Sequence, residues 1–247
     1  MGEDQDLRGR QAASFGAAAD AYERGRPGYP DDAIDWLLPD AAVDLLDLGA
    51  GTGKLTRQLV ARGLEVVAVE PSDGMRQQLE GVLPQVRALP GSAEAIPLPD
   101  ASVDAVVVAQ AWHWVDVERA VPEVARVLRQ GGRLGLIWNT RDERVDWVAD
   151  LGELMTGGVD TIDTANPPVG PPFGPIERRD FEWSYPLTPE ALVDLVASRS
   201  YVITMSAQER AARLAAVRRL AAHHPALAGR ERFEMPYVTR CSRTRLG

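Results

Sequence analysis

Two acids, Asp47 and Glu70, bracket three glycines at alternate positions, Gly49, Gly51 and Gly53. A loop with no Cβ at three alternate positions can turn sharply and let a ligand touch the backbone. Its G-x-G-x-G spacing differs from the G-x-G-x-x-G of dinucleotide sites. A pyrophosphate on this loop would meet the Asp47 carboxylate, and like charges in a poorly solvated crevice repel. An ammonium group would be attracted instead. Glu70 follows the loop by about 20 residues, where nucleotide-binding βαβ units place the carboxylate that holds ribose hydroxyls. These residues therefore ask for an adenosine ligand that lacks phosphate and carries a positive charge. S-adenosylmethionine has adenosine, a sulfonium and an amino-acid end.

Transfer of a methyl group from a sulfonium is an in-line displacement with a neutral leaving group. The protein has to align donor and acceptor and exclude water, and needs a base only for an acidic acceptor such as a hydroxyl. His113 is the candidate base, because histidine titrates near neutral pH. Trp112 and Trp114 flank it and are read as walls of a dry acceptor pocket, with Tyr29 and Asn139 completing that pocket. No group of residues has metal-ligand spacing. His223-His224 before Pro225 reads as a solvated helix end.

The elements that must position these residues alternate. Val43 to Leu48 and Leu64 to Val69 are apolar runs suited to strands buried on both faces, with a helix from Leu55 to Ala61 between them. A helix over 72–83, a short strand over 86–89 and a fourth strand over 103–109 follow. Asp116 caps a helix in which Pro122 marks the start of the regular part. Gly131-Gly132 ends that helix, and Arg133 to Asn139 is a fifth strand. Beyond Arg141 the pattern changes. A helix over 142–155, a stiff proline-rich loop over 166–175 and an aromatic strand over 180–185 precede two helices. Thr188-Pro189 opens one of them. The capping box Ser206-x-x-Glu209 opens the other, which runs to about His223. Phe233 to Ser242 is a last strand. Upstream, Gln11 to Gly25 reads as a helix and Arg26 to Pro30 as a rigid turn.

This alternation predicts a Rossmann-like doubly wound α/β sheet with ligands at the carboxyl ends of its strands. Asp47, Glu70, Ser92 to Glu94, Gln110 to Trp114 and Asn139 all fall at such ends. The expected divisions are an N-terminal helical cap over 1–40, a ligand-binding core over 41–141, and a C-terminal part over 142–247. That last part completes the sheet with an antiparallel edge strand, inserted helices and a lid, the whole forming one compact unit.

Asp47-Leu48-Gly49-Ala50-Gly51-Thr52-Gly53 resembles the first motif of the class I S-adenosylmethionine-dependent methyltransferases. Three further stretches resemble the same family in order. Glu70-Pro71-Ser72 with Met75 is similar to the ribose motif, Gly91 to Asp100 to the adenine-edge loop, and Leu128 to Leu134 to the turn before the fifth strand. The four cover roughly residues 43 to 140. The resemblance implies S-adenosylmethionine as cofactor and S-adenosylhomocysteine as product. It implies that Gly49, Ala50, Gly51, Gly53 and Gln110 meet the methionine end, with Asp47 on the ammonium side. Glu70 and Pro71 would hold the ribose, Met75 the adenine face, and Ser92, Ala93 and Glu94 the adenine edge. Ser92 departs from the aspartate common in relatives. The N-terminal turn would place Tyr22 and Arg26 near the ligand, with Arg26 paired to the methionine carboxylate. The turn and Ala109 to Trp114 look most like trans-aconitate-type and bacterial small-molecule O-methyltransferases, which implies O-methylation of a small molecule.

Composition narrows the field. Of 247 residues, 45% are hydrophobic, enough for a sizeable core, and the net charge is -9. An acidic surface disfavours attraction to nucleic acid or anionic membrane, so neither is an expected partner. Residues 1 to 11 are polar with no following apolar stretch, which reads as no signal peptide. One cysteine, Cys241, allows no internal disulfide. The expected location is the cytoplasm, and the scarcity of lysine beside arginine points to a bacterial, GC-rich source. The basic helix bearing Arg210, Arg213, Arg218 and Arg219 reads as a solvated face. A regulatory protein that binds S-adenosylmethionine without transferring methyl groups is the alternative. A nicotinamide-dependent oxidoreductase is disfavoured by the loop spacing and Asp47.

Overall fold

The computed structural model describes residues 27–156 and 164–247. The expected helix over 11–25, with Tyr22 and Arg26, lies outside the described residues. Seven strands form one sheet: β1 (Asp44–Leu48), β2 (Glu65–Val69), β3 (Arg87–Leu89), β4 (Val103–Ala109), β5 (Leu128–Arg141), β6 (Glu177–Leu187) and β7 (Phe233–Arg245). Their order is β3-β2-β1-β4-β5-β7-β6. The first five are parallel neighbours. Strand β7 runs the other way. At its two ends the Asp142 amide donates to the Pro236 carbonyl and the Leu246 amide to the Gly132 carbonyl, so one strand's numbering rises as the other's falls. The order reverses at β1 and β4, where doubly wound sheets open a crevice at the carboxyl ends of their strands.

The chain divides into two compact units. The larger contains Gly28–Asn139, residues 164–181 and Thr239–Gly247. Helices α1 (Asp31–Leu37), α2 (Lys54–Val60), α3 (Asp73–Val82) and α4 (Val117–Val127) belong to it. On one side of its sheet Leu46, Val106, Leu136 and Trp138 pack with Val121 and Val124 of α4. On the other, Leu45, Val107 and Ile137 pack with Ile34 and Leu37 of α1 and Leu55 and Leu59 of α2. The strands are apolar on both faces because both are covered.

Two local expectations are corrected. Helix α4 opens at Val117, ahead of Pro122, which lies inside it. The carbonyl four residues back, on exposed Glu118, can turn to water in place of the missing N–H. Gly131-Gly132 does not end that helix, which stops at Val127; the pair lies inside β5. Between Val103–Leu128 and Ala105–Arg133 the pairing shifts, and Gly131 at φ +73° carries the bulge. The proline-rich loop is fastened at several points. Trp112 Nε1 donates to the Pro168 carbonyl, Phe173 bridges Leu246, and the Gly174 amide donates to the Arg245 carbonyl.

The smaller unit contains 182–238 and the described part of 140–162. It holds α5 (Asp146–Thr156), α6 (Pro189–Ala197), the short α7 (Ser200–Ile203) and α8 (Ala207–His223). The last three are the helices inserted between β6 and β7. Its own core gathers Val148, Leu151, Leu192, Val196, Val217, Phe233 and Met235. The Ser206–Glu209 capping box forms as expected, and Thr188 caps α6 by accepting from the Ala191 amide. Arg210, Arg218 and Arg219 are exposed. Arg213 differs: its guanidinium donates to the Leu154 and Met155 carbonyls, which a helix end leaves open. Among the described residues no helix is long and apolar enough to cross a membrane.

Candidate functional site

The loop from β1 to α2 is held to β2 at its root. The Gly49 and Ala50 amides both donate to the Val69 carbonyl, at 2.8 and 3.2 Å. Gly49, Gly51 and Gly53 all have positive φ, at 73°, 59° and 86°. A side chain at Gly49 would also place its Cβ 2.9 Å from that of Ala111. At Gly51 a Cβ would stand 3.9 Å from the Met75 sulfur, so Met75 lies beside the loop. Positive φ at all three positions explains why glycines stand there, and Gly49 also admits the close approach of Ala111.

Glu70, buried at the end of β2, closes this arrangement. One carboxylate oxygen accepts from the Gly51 amide at 2.9 Å and the other from the Ser72 amide at 2.8 Å. The acid thus fixes both the glycine loop and the start of α3, and each oxygen keeps a further lone pair. Burial raises its pKa, while the two amides and the Arg76 charge pull it back.

Asp47 is 0% exposed. Its Oδ2 accepts from the Thr56 hydroxyl at 2.6 Å, and its Oδ1 has no hydrogen-bond partner. Burial pushes its pKa up to about 7; the Thr56 hydroxyl bond opposes this and the neighbouring Glu70 charge adds to it. A sealed carboxylate acts on a ligand cation as a field in low-dielectric surroundings, where a charge is felt more strongly than in water. Thr56 has no signal of its own in the sequence; it lies nine residues past Asp47, on the first turn of α2.

Beyond β3, Ser92 and Ala95 exchange backbone bonds in a small bridge, which presents the 91–95 loop as a tight turn with Ala93 buried. Glu94 is taken by structure: one of its oxygens accepts from the Asp116 amide, at the start of α4, at 2.8 Å. Pro71 is exposed.

The end of β4 is constrained. Gln110 has φ +56°, uncommon for a residue with a side chain. Its amide donates to the Ile137 carbonyl, and its Nε2 reaches the Asn139 carbonyl at 3.2 Å. Asn139 is itself a junction. Its Nδ2 donates to the Gly28 carbonyl at 2.8 Å, and its Oδ1 accepts from Thr239 at 2.6 Å. Gln58 bonds both the amide and the carbonyl of Tyr29. The Gly28-Tyr29 turn is therefore pinned to β5 by Asn139 and to α2 by Gln58, a clamp the sequence reading missed.

Trp112, His113 and Trp114 form one turn of 3-10 helix. Their surroundings differ from the expected pocket. Trp112 is buried in the core with its indole on the Pro168 carbonyl, so it supports the turn from beneath. Trp114 is 41% exposed and packs against the His113 ring at 4.8 Å. His113 Nδ1 accepts from the Trp138 indole at 3.4 Å. In that arrangement Nε2 carries the ring proton.

Among the described residues no cluster of histidines, cysteines and acids could hold a metal ion. The residues present fit an adenosine ligand with a positive end: a glycine loop held at positive φ, an acid bonded to its Gly51 amide, and a buried carboxylate with one unmet oxygen close by in sequence.

Comparison with known proteins agrees. Residues 46–136 match the model of a methyltransferase domain. The chain is 61% identical, over 94% of its length and 96% of the relative's, to an uncharacterized methyltransferase of Mycobacterium tuberculosis. Over about half of each chain it is 38% identical to a malonyl-[acyl-carrier protein] O-methyltransferase of Methylococcus capsulatus. Among solved structures, a candidate type II methyltransferase from Anaeromyxobacter dehalogenans superposes with a TM-score of 0.63 at 26% identity. That match covers 89% of this chain and 96% of the other.

Proposed function

Since the chain belongs to the class I S-adenosylmethionine-dependent methyltransferases, we propose that it methylates a small molecule, on oxygen, in the cytoplasm. One observation carries the cofactor assignment: buried Glu70 binds the Gly51 amide, so the ribose-type acid and the glycine loop are a single constellation. Asp47 beneath that loop selects against phosphate and for an ammonium. Bound there, S-adenosylmethionine supplies an activated methyl group.

The remaining lone pairs of Glu70 accept from the ribose hydroxyls, Met75 covers the adenine face, and the Ser92-Ala93 turn meets the adenine edge. The Gly49 to Gly53 backbone and Gln110 hold the methionine end, and Asp47 in its ionised form balances the ammonium. Trp114 and His113 line the acceptor side. For an acceptor hydroxyl, His113 takes the proton on Nδ1, which first has to leave the Trp138 indole. Oxygen as the methylated atom is supported by the partial likeness to an O-methyltransferase. The acidic charge of the chain supports a small molecule over nucleic acid or a membrane.

Calorimetric titration with S-adenosylmethionine, S-adenosylhomocysteine and NADH tests this reading. Micromolar binding of the first two, weakened at least tenfold in Glu70→Gln, is expected. Binding of NADH alone would overturn it.

A further inference from the structure

A concentration of positive charge lies in the larger unit, near the start of β5 and away from the glycine loop. Ile137 of β5, Cys241 of β7 and Phe181 of β6 pack with α1 in one core. Alternate residues of a strand share a face. The same side therefore carries Arg133 on β5, Arg243 and Arg245 on β7, and Glu177 and Arg179 on β6. Four arginines share this face with one acid, Glu177, in a chain of net charge -9.

The strand register sharpens the conflict. The Leu246 amide donates to the Gly132 carbonyl, which sets Arg133 directly opposite Arg245. Side chains so opposed have Cβ atoms about 5 Å apart, and like charges there are destabilising. Arg133 is buried, and one of its terminal nitrogens donates to the Leu38 carbonyl, at the end of α1, at 2.6 Å. Arg243 bonds the neighbouring Trp36 carbonyl, lies 4.2 Å over the Trp36 ring and pairs with Glu177 at 2.7 Å. Glu177 is thereby already engaged. Among the described residues neither Arg133 nor Arg245 has a carboxylate within ion-pair distance. The carbonyls at the end of α1 offset the charge only in part. Burial holds the Arg133 pKa below the ordinary guanidinium value; the charges of Arg243 and Arg245 push the same way, against Glu177 and Asp40. A guanidinium does not escape by losing its proton. Two opposed cations are thus short of negative charge, and Arg245 is exposed to solutes.

We propose that Arg133 and Arg245, with Arg243 and Arg179 beside them, form a binding site for a phosphate group. A tetrahedral dianion bonds two guanidinium forks at once and brings the two negative charges that the pair lacks. The site is separate from the methyl-donor loop. Arg133 pairs with Ala105 of β4, and from there to Gln110 the strand rises about 16 Å. The inference goes beyond the function proposed above and does not rest on it. The net charge disfavours nucleic acid as the bearer of the phosphate.

Calorimetric titration of purified full-length protein with inorganic phosphate and with phenyl phosphate, at an ionic strength matched with sodium chloride, tests the site. Binding of one phosphate per chain with a Kd below about 1 mM is expected. Arg245→Ala should weaken it at least tenfold and leave S-adenosylmethionine affinity within about twofold of the parent. Without phosphate the variant should melt about 1–2 °C above the parent, because the like-charge opposition is gone. Added phosphate should raise the melting temperature of the parent and not that of the variant. Equal affinity for the two probes assigns a free ion, and tighter binding of phenyl phosphate assigns a phosphate ester; either keeps the proposal. Absence of binding, or equal affinity in parent and variant, would overturn it. So would a lower melting temperature of the phosphate-free variant, which would mean that Arg245 is satisfied as it stands. Displacement of phosphate by S-adenosylmethionine would place the anion in the glycine loop instead, and preference for a short DNA duplex over both probes would assign a nucleic-acid surface; each ends the proposal. A protein that binds phosphate at this face and no S-adenosylmethionine keeps this inference and loses the function above.

Discussion

Asp47 is buried and Arg141 half-buried; both are charged in water, and each leaves one sealed hydrogen-bonding atom unmet. They differ in how they can respond. The carboxyl can take up a proton, and with its pKa pushed to about 7 it does so near neutral pH. The guanidinium has no such exit. The charge near the end of β1 can thus change with pH, whereas the one at the end of β5 has no such route.

Substitutions can sharpen or break this contrast. The largest effect is expected from Asp47→Asn, which removes the field that favours the ligand ammonium. S-adenosylmethionine affinity should fall about 100-fold at pH 8, or about 2.7 kcal/mol; calorimetry showing less than a threefold loss would end the electrostatic role. In the parent, affinity should also weaken from pH 8 to pH 6 as Asp47 protonates, and a flat profile would contradict the raised pKa.

Stability should show the same group with the opposite sign. The folded pKa of Asp47 lies above its unfolded value of 3.8. Its favourable contribution is therefore complete below pH 3.8 and lost as the pH rises through about 7. Asp47→Asn does not titrate, so between pH 5 and pH 8 it should gain on the parent by roughly 2–3 kcal/mol in urea unfolding. Arg141→Met should stabilise by about 1–2 kcal/mol without that pH dependence, since it removes an unmet donor and leaves Glu143 hydrated. A destabilised Arg141→Met would mean that the arginine is satisfied in a way the described geometry lacks.

Smaller effects probe the supports. Thr56→Val removes the hydroxyl bond to Asp47, which should raise the Asp47 pKa further and weaken cofactor binding about fivefold at pH 7; titration across pH 6 to 8 reads both. Gln110→Gly relieves a positive φ and should stabilise by about 0.5–1 kcal/mol in thermal unfolding. A loss there would show that the Gln110 side-chain bond to Asn139 outweighs the strain.

The two regions were not equally legible. The β1 loop is written in consecutive residues, because a backbone that must hug a ligand needs glycine and the carboxylates lie at fixed offsets. The strand-end sites, the βαβ order, the capping box at Ser206 and the inserted helices followed from local periodicity. The Trp112 to Trp114 stretch was misleading, since three aromatic rings in a row carry no statement of which one is buried. Trp112 went into the core because the Pro168 carbonyl, 56 residues away, accepts its indole proton. Gly131-Gly132 read as a helix end and proved a bulge, because glycine permits both and pairing with β4 decides.

Sequence alone determined the doubly wound core and the Asp47, Gly49 to Gly53 and Glu70 constellation, since these depend on residue type, spacing and hydrophobic period. Only the tertiary structure decided what each charge meets. Thr56 under Asp47, Gly51 on Glu70 and Trp138 against His113 are all pairings across chain distance. Burial and partner geometry are properties of packing, and packing sets whether an acid such as Asp47 is half protonated near neutral pH.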